Sequence, residues 1–283
     1  EELAVELRAQ HGVEVEVLAA DLAAGKAQPF PFRSMLLRDG SDGRDGAVAL
    51  LREGTAPQSS VLVVKNSSQG MGHGHFDKLS WQFYDNGHEI VTDYGAARFL
   101  NIEAKEGGRY LPENESWAKQ TIAHNALTVN GRSHFDGDVE RADRHAPTQL
   151  YYASAPDLRI SSARIDSAYP AEQVSMTRTL ALMEVQGLSA PIVIDVLRAQ
   201  GKGAIRYDLP LHYTGHIIDV GFKTEGNVAA RPGLGPANGY EHIWVDATGT
   251  PSPGDATLTW LLDGRFYTYR FVTDGTLQAI LAE

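Results

Sequence analysis

LSWQFYDNGHEIVTDYG, residues 79–95, reads as two alternating strands around a two-residue turn. Trp81 and Phe83 fall on one face of the first strand, where core packing is their expected role. Asn86-Gly87 accepts positive φ at both positions, which a type I′ hairpin turn needs. The same pattern extends in both directions. SMLLRDG and AVALLREG flank an Asp/Gly-rich turn at 39–46, and VLVVKNSSQ follows as a strand. The 39–46 turn, DGSDGRDG, lacks a glutamate at the twelfth position of a calcium loop and reads as a solvated hairpin turn. HNALTVNGRSHF repeats the turn device at Asn130-Gly131. TRTLALMEVQG, APIVIDVLRAQG, AIRYDLPLHY, YEHIWVDATG, TLTWLLDGRFYTYRFVTDG and TLQAILAE complete a chain that is almost entirely β from residue 34 onward. Turn signals recur at Gln186-Gly187, Asp263-Gly264 and Asp274-Gly275, a spacing expected of stacked antiparallel sheets.

The first 24 residues differ in character. EELAVELRAQHG predicts a short helix stopped by Gly12, and VEVEVL predicts a strand. This helix–strand–AADLA run resembles a piece of a short-chain dehydrogenase. That family's glycine-rich turn and Tyr-x-x-x-Lys pair are absent from the sequence, so its chemistry is not expected. GKAQPFPFR, 25–33, is a Pro-containing linker. The expected organisation is therefore a helix–strand lead-in over 1–27 and a β-sheet domain over 28–283, cut short at its C-terminal end.

Composition bounds the function. At 283 residues, 42% hydrophobic and 22% charged, the chain can bury a large core. It has no cysteine, which removes disulfides, thiolate catalysis and thiolate-bound zinc. A net charge of −11 argues against nucleic acid as a partner. No apolar run is long enough to cross a bilayer, and no signal peptide is visible. An anionic ligand would need a local basic patch, for which Lys65, Lys78, Arg98, Lys105, Arg109 and Lys119 are candidates.

Chemistry concentrates between residues 66 and 125. His73, His75 and Asp77 alternate, Asp93 and Arg98 lie just past the hairpin, and His124 follows in an Ala-His-Asn run. Two imidazoles and a carboxylate, His75, Asp93 and His124, form a donor set suited to zinc. A hydrogen-bonded polar cluster on a sheet accounts for the same residues without a metal. Tyr110 follows a Gly-Gly pair, and a nearby cation could lower its phenol from about 10 toward a useful range. Arg98 could clamp a carboxylate with two parallel hydrogen bonds. Trp117 could stack on a sugar ring. His88, His134, His145, His212, His216 and His242 read as ordinary surface or core histidines.

The blocks GHGHFDK, VTDYGAARF, GGRYLPEN and AKQTIAHN, in this order, resemble family 17 polysaccharide lyases, the oligoalginate lyases of the heparinase II/III-like group. The resemblance runs from about residue 28 to the C-terminal end and is densest over 65–135. It implies a β-sandwich of the heparinase II/III-like C-terminal type. In the family, an N-terminal α/α toroid supplies the other wall of the cleft and is not contained in this sequence. The resemblance further implies a structural zinc held by His75, Asp93 and His124, and a proton-transferring Tyr110. The resemblance also implies that His73, with Tyr110 the catalytic pair, and Arg98, the substrate-binding residue, line the cleft and engage the uronate. The implied reaction is β-elimination on alginate oligosaccharides, in the periplasm or outside the cell, impaired here without the toroid. A homodimer is an open possibility. Alternatives are a glycosaminoglycan lyase, a zinc-stabilised carbohydrate-binding sandwich without turnover, and a cupin-like oxygenase built on His73 and His75.

Overall fold

A computed structural model describes residues 20, 23–26, 32–68, 73–97, 110–226, 230–252, 256–273 and 275–283. The chain divides into two compact units, Glu1–Phe32 and Arg33–Glu283. In the first unit, Ala24 N–H donates to the Ala20 carbonyl at 2.9 Å in helical fashion, and Gly25 follows with φ +69°. The helix and strand expected over 1–18 lie outside the described residues.

The second unit is built of antiparallel sheets. The first is a five-stranded meander of β1 (Met35–Arg38), β2 (Gly46–Arg52), β3 (Val61–Ser67), β4 (Ser80–Asp85) and β5 (His88–Val91). Alternation along β2 and β3 turns Ala47, Ala49, Leu51, Leu62 and Val64 inward, as the period-two pattern requires. The β4–β5 turn has Asn86 at φ +52° and Gly87 at φ +79°, so the expected hairpin is present.

The second sheet has the order β10-β9-β8-β7, from β7 (Thr148–Ser154), β8 (Leu158–Tyr169), β9 (Val174–Met183) and β10 (Ile192–Gln200). Leu180 and Leu182 of β9 pack against Trp81, Phe83, Leu51 and Leu62 of the first sheet to form one core. Trp260 joins them from a three-stranded sheet of β12 (His216–Val220), β15 (Ala256–Leu262) and β16 (Arg265–Phe271). Asp85 links that sheet to β4, accepting hydrogen bonds from Arg265 Nη1 at 2.9 Å and Tyr267 Oη at 3.0 Å. Two smaller sheets pair β6 (Thr128–Val129) with β11 (Tyr207–Asp208), and β13 (Thr224–Gly226) with β14 (Val245–Gly249) and β17 (Ala279–Ala282).

Some segments differ from expectation. HNALTVNGRSHF forms only the two-residue β6 and one bridge, Val129 to Arg132, around its Asn130-Gly131 turn. A 3₁₀ turn over Thr121–Ala123 precedes it, and another over His134–Gly137 carries Phe135 and Asp136 at positive φ. AIRYDLPLHY contributes two strand residues, since Pro210 has no N–H to give to a ladder. A short helix, α1 (Val139–Asp143), is capped by Asp138, whose carboxylate accepts from Arg141 N–H at 3.0 Å.

A second core underlies the loops from 75 to 137. Phe76, Leu79, Leu127, Val129 and Phe135 meet Tyr169, Val174 and Met176. Arg178 of β9 reaches from the second sheet to these loops. It pairs in two-pronged fashion with Asp195 of β10 (Nε–Oδ1 2.8 Å, Nη2–Oδ2 2.5 Å). Its Nη1 donates to the carbonyls of Leu79, at 2.9 Å, and Asn125.

Candidate active site

Three segments converge. Residues 73–79 lead into β4, 92–97 leave β5, and 110–125 coil back between them. Backbone bonds hold the first against the third: Phe76 N–H donates to the Lys119 carbonyl at 2.9 Å, and Thr121 Oγ1 donates to the Phe76 carbonyl at 2.6 Å. Lys78 N–H donates to His134 Nδ1 at 3.2 Å, and His134 Nε2–H donates to the Leu127 carbonyl at 3.1 Å. His134 is thus a satisfied core histidine, as expected of it. Burial first, then the Lys78 charge, pushes it down to about 3.

Asn125 is the clamp of the second and third segments. Its fully buried amide donates to the carbonyls of Trp81 (3.0 Å) and Thr92 (2.6 Å) and accepts from His212 N–H (2.7 Å). Thr92 therefore fixes Asp93, and Asn125 fixes His124. His124 is buried, its Nε2–H donates to the Ala118 carbonyl at 3.0 Å, and its Nδ1 makes a close contact with Asp93 Oδ1. The His75 ring lies 5.0 Å from that of His124, centroid to centroid. Burial, and then the neighbouring His124, lowers His75 to about 4, so its imidazole is neutral at physiological pH.

Asp77 completes the cluster from below. Ligand atoms of His75, Asp77 and His124 all lie within 4.8 Å of one another. Burial raises the Asp77 carboxyl, but Lys65, whose Nζ lies 2.5 Å from Oδ2, and the two imidazoles hold it below the usual range. Its buried Oδ1 has no hydrogen-bond partner among the described residues. Two imidazoles, the Asp77 carboxylate and an oxygen lacking a donor are what a divalent cation with nitrogen and oxygen ligands would satisfy. The residues fit such an ion. Sequence reasoning saw Asp77 in the alternating run but did not select it. Asn125 and the Arg178 bridge carry no sequence signal apart from their neighbours.

Beside this cluster opens a pocket of about 420 Å³. His73, His75, Tyr110, Asn114, Glu115 and Lys119 supply its polar lining, and Ala96, Leu111 and Pro112 its apolar wall. Tyr110 Oη stands 3.5 Å from His73 Nδ1. A hydroxyl and an imidazole side by side over a pocket can pass protons to and from a bound molecule. Arg98, with Lys105 and Arg109, lies outside the described residues. Trp117 stands edge-on to Tyr94 at 5.7 Å and to His212 at 6.1 Å.

Known proteins match this chain throughout the second unit. The family model described as "Heparinase II/III-like, C-terminal" matches residues 35–279. An alginate lyase of Stenotrophomonas maltophilia (strain K279a) is 53% identical over 266 residues, covering 94% of this chain and 35% of that protein. An exo-oligoalginate lyase of Saccharophagus degradans (strain 2-40 / ATCC 43961 / DSM 17024) is 51% identical over 256 residues, covering 90% of this chain and 34% of that protein. The chain spans about a third of the length of these curated relatives. Among solved structures, a mutant of the heparan sulfate lyase HepC from Pedobacter heparinus has a similar fold. Its TM-score is 0.50 at 16% identity, covering 92% of this chain and 37% of that one.

Proposed function

The chain belongs to the heparinase II/III-like C-terminal family, and we propose that it forms the sheet-domain wall of an alginate-oligosaccharide lyase. The observation that carries this reading is the pocket lined by His73, His75 and Tyr110, with the Tyr110 hydroxyl beside the His73 ring. The substrate class follows from the two relatives of about 50% identity.

The reaction is β-elimination. Tyr110 Oη, as phenolate, takes the proton from C5 of a uronate. The C5–H electron pair becomes the C4–C5 double bond as the C4–O bond breaks. The departing oxygen is then protonated, and a tyrosine returning its proton meets that need. Charge builds on the carboxylate next to C5, where His73 and Arg98 are the donors assigned to neutralise it. A zinc ion would be held by His75 and His124 with a carboxylate, Asp93 by the resemblance or Asp77 by its place beside both imidazoles. Its contribution when bound is to order the three segments around the pocket.

The test is ultraviolet absorbance of the unsaturated uronate product. Growth with alginate oligomers, lost in Tyr110→Phe and missing with heparin and chondroitin, is the expected signature. Growth with heparin instead would overturn the substrate. A second reading, oligosaccharide binding without turnover, predicts no growth at all. Zinc is expected at about one ion per chain in either case. Purified protein without zinc, or with its zinc unchanged in His75→Ala, would contradict the ligand set.

A further inference from the structure

The pocket contains an ion pair whose two ends differ in burial. Lys119 Nζ lies 2.5 Å from Glu115 Oε1, and both residues line the pocket with His73 and Tyr110. The lysine side chain is 15% exposed and the glutamate side chain 71%. The backbone of Lys119 is fixed, its N–H donating to the Asn114 carbonyl at 3.1 Å and its carbonyl accepting from Phe76 N–H at 2.9 Å. The carboxylate of Glu115, by contrast, is hydrated and loses little when the pair opens. Among the described lining residues, Lys119 brings the one lysine or arginine charge. Its ammonium therefore has an anionic partner that a better-placed anion can displace.

We propose that Lys119 is a carboxylate-binding residue of this pocket, and that Glu115 is the internal competitor that a uronate carboxylate displaces. The proposal rests on the uronate-lyase reading and refines it. A lysine presents a single compact charge, enough to meet one carboxylate per sugar. Glu115 adds a repulsion that grows with the anionic charge of the ligand. The pair thus selects a chain with one charge per ring over a polysulfated one.

Isothermal titration calorimetry with a mannuronate trimer tests this, with a heparin-derived tetrasaccharide as control. Lys119→Met keeps the aliphatic stem and removes the charge, and it should weaken trimer binding about tenfold, the ratio expected for loss of one charge-assisted hydrogen bond. Lys119→Arg should retain most of the affinity. Glu115→Gln should tighten the trimer severalfold and bring the heparin fragment closer to it. If the wild-type chain binds the trimer and Lys119→Met, melting like wild type, binds it equally well, the inference fails and the lyase reading stands. Weaker trimer binding by Glu115→Gln likewise overturns the competition. Should Lys119→Met not fold, the Glu115→Gln and Lys119→Arg results decide alone. A wild-type chain that binds no uronate oligomer removes both the substrate reading and this inference.

Discussion

His134 is neutral because of where it sits, and that gives the protein a pH-dependent stability. Its folded-state value, about 3, is below the ordinary histidine value of about 6.5. The unfolded chain therefore binds the proton more readily. The resulting contribution is fully present above about pH 6.5 and is lost as pH falls from there toward 3. Thermal melts between pH 7 and pH 5 should decline by up to about 1.4 kcal/mol per pH unit from this group. His134→Gln, which keeps an acceptor and a donor, should flatten that decline even if it melts lower overall. An equal slope in the variant would assign the effect elsewhere. Asn125 makes a second residue-scale prediction. Asn125→Ala leaves the Trp81 and Thr92 carbonyls and the His212 N–H without its amide, at a cost on the order of 3 kcal/mol by urea titration. Zinc content should fall with it, because Asp93 and His124 adjoin the two anchored positions.

Among the elements, β9 joins the core to the site. Arg178 and Asp195 are 3% and 6% exposed, so removing one partner strands the other. Arg178→Met should destabilise by about 3–5 kcal/mol, and Arg178→Met with Asp195→Leu should recover part of that loss. Equal losses in the single and double variants would show that the carbonyl contacts to Leu79 and Asn125 dominate. The hairpins at Asn86-Gly87 and Asp263-Gly264 were legible because each turn needs positive φ at both positions, which these dipeptides supply cheaply. β7 and β8 were not. The buried positions of β8 mix Arg159 and the small Ser161, Ser162, Ala163 and Ala168 with Ile165 and Tyr169, so its apolar period is faint in LRISSARIDSAY. The 121–137 segment misled for the opposite reason. Its residues of the second core, Leu127, Val129 and Phe135, come from a loop, the two-residue β6 and a 3₁₀ turn, with no regular spacing to read.

For the whole molecule, the cores formed between the first two sheets and beneath the site loops both lie within Arg33–Glu283. A chain of those residues alone should melt cooperatively and bind the proposed zinc as the full chain does. Loss of the transition on removing residues 1–32 would show that the first unit is part of the fold. Of the candidate site, the His-x-His-x-Asp run, Asp93 and His124 could be picked out in the sequence, because they stand in recognisable blocks. The site's assembly was not legible, because partners far apart in sequence, such as Asp93 with His124, meet only after the sheets have paired.

That last feature governs the order of events in folding. Every pairing around Asn125 joins residues at least 33 positions apart, and Arg178 closes a loop of 99 residues to reach Leu79. Contacts of such span are slow to form, since loop-closure entropy must be lost before they contribute. The ligand cluster is therefore one of the last parts of the molecule to become native. In a refolding experiment, uptake of metal should lag behind the burial of Trp81 and Trp260.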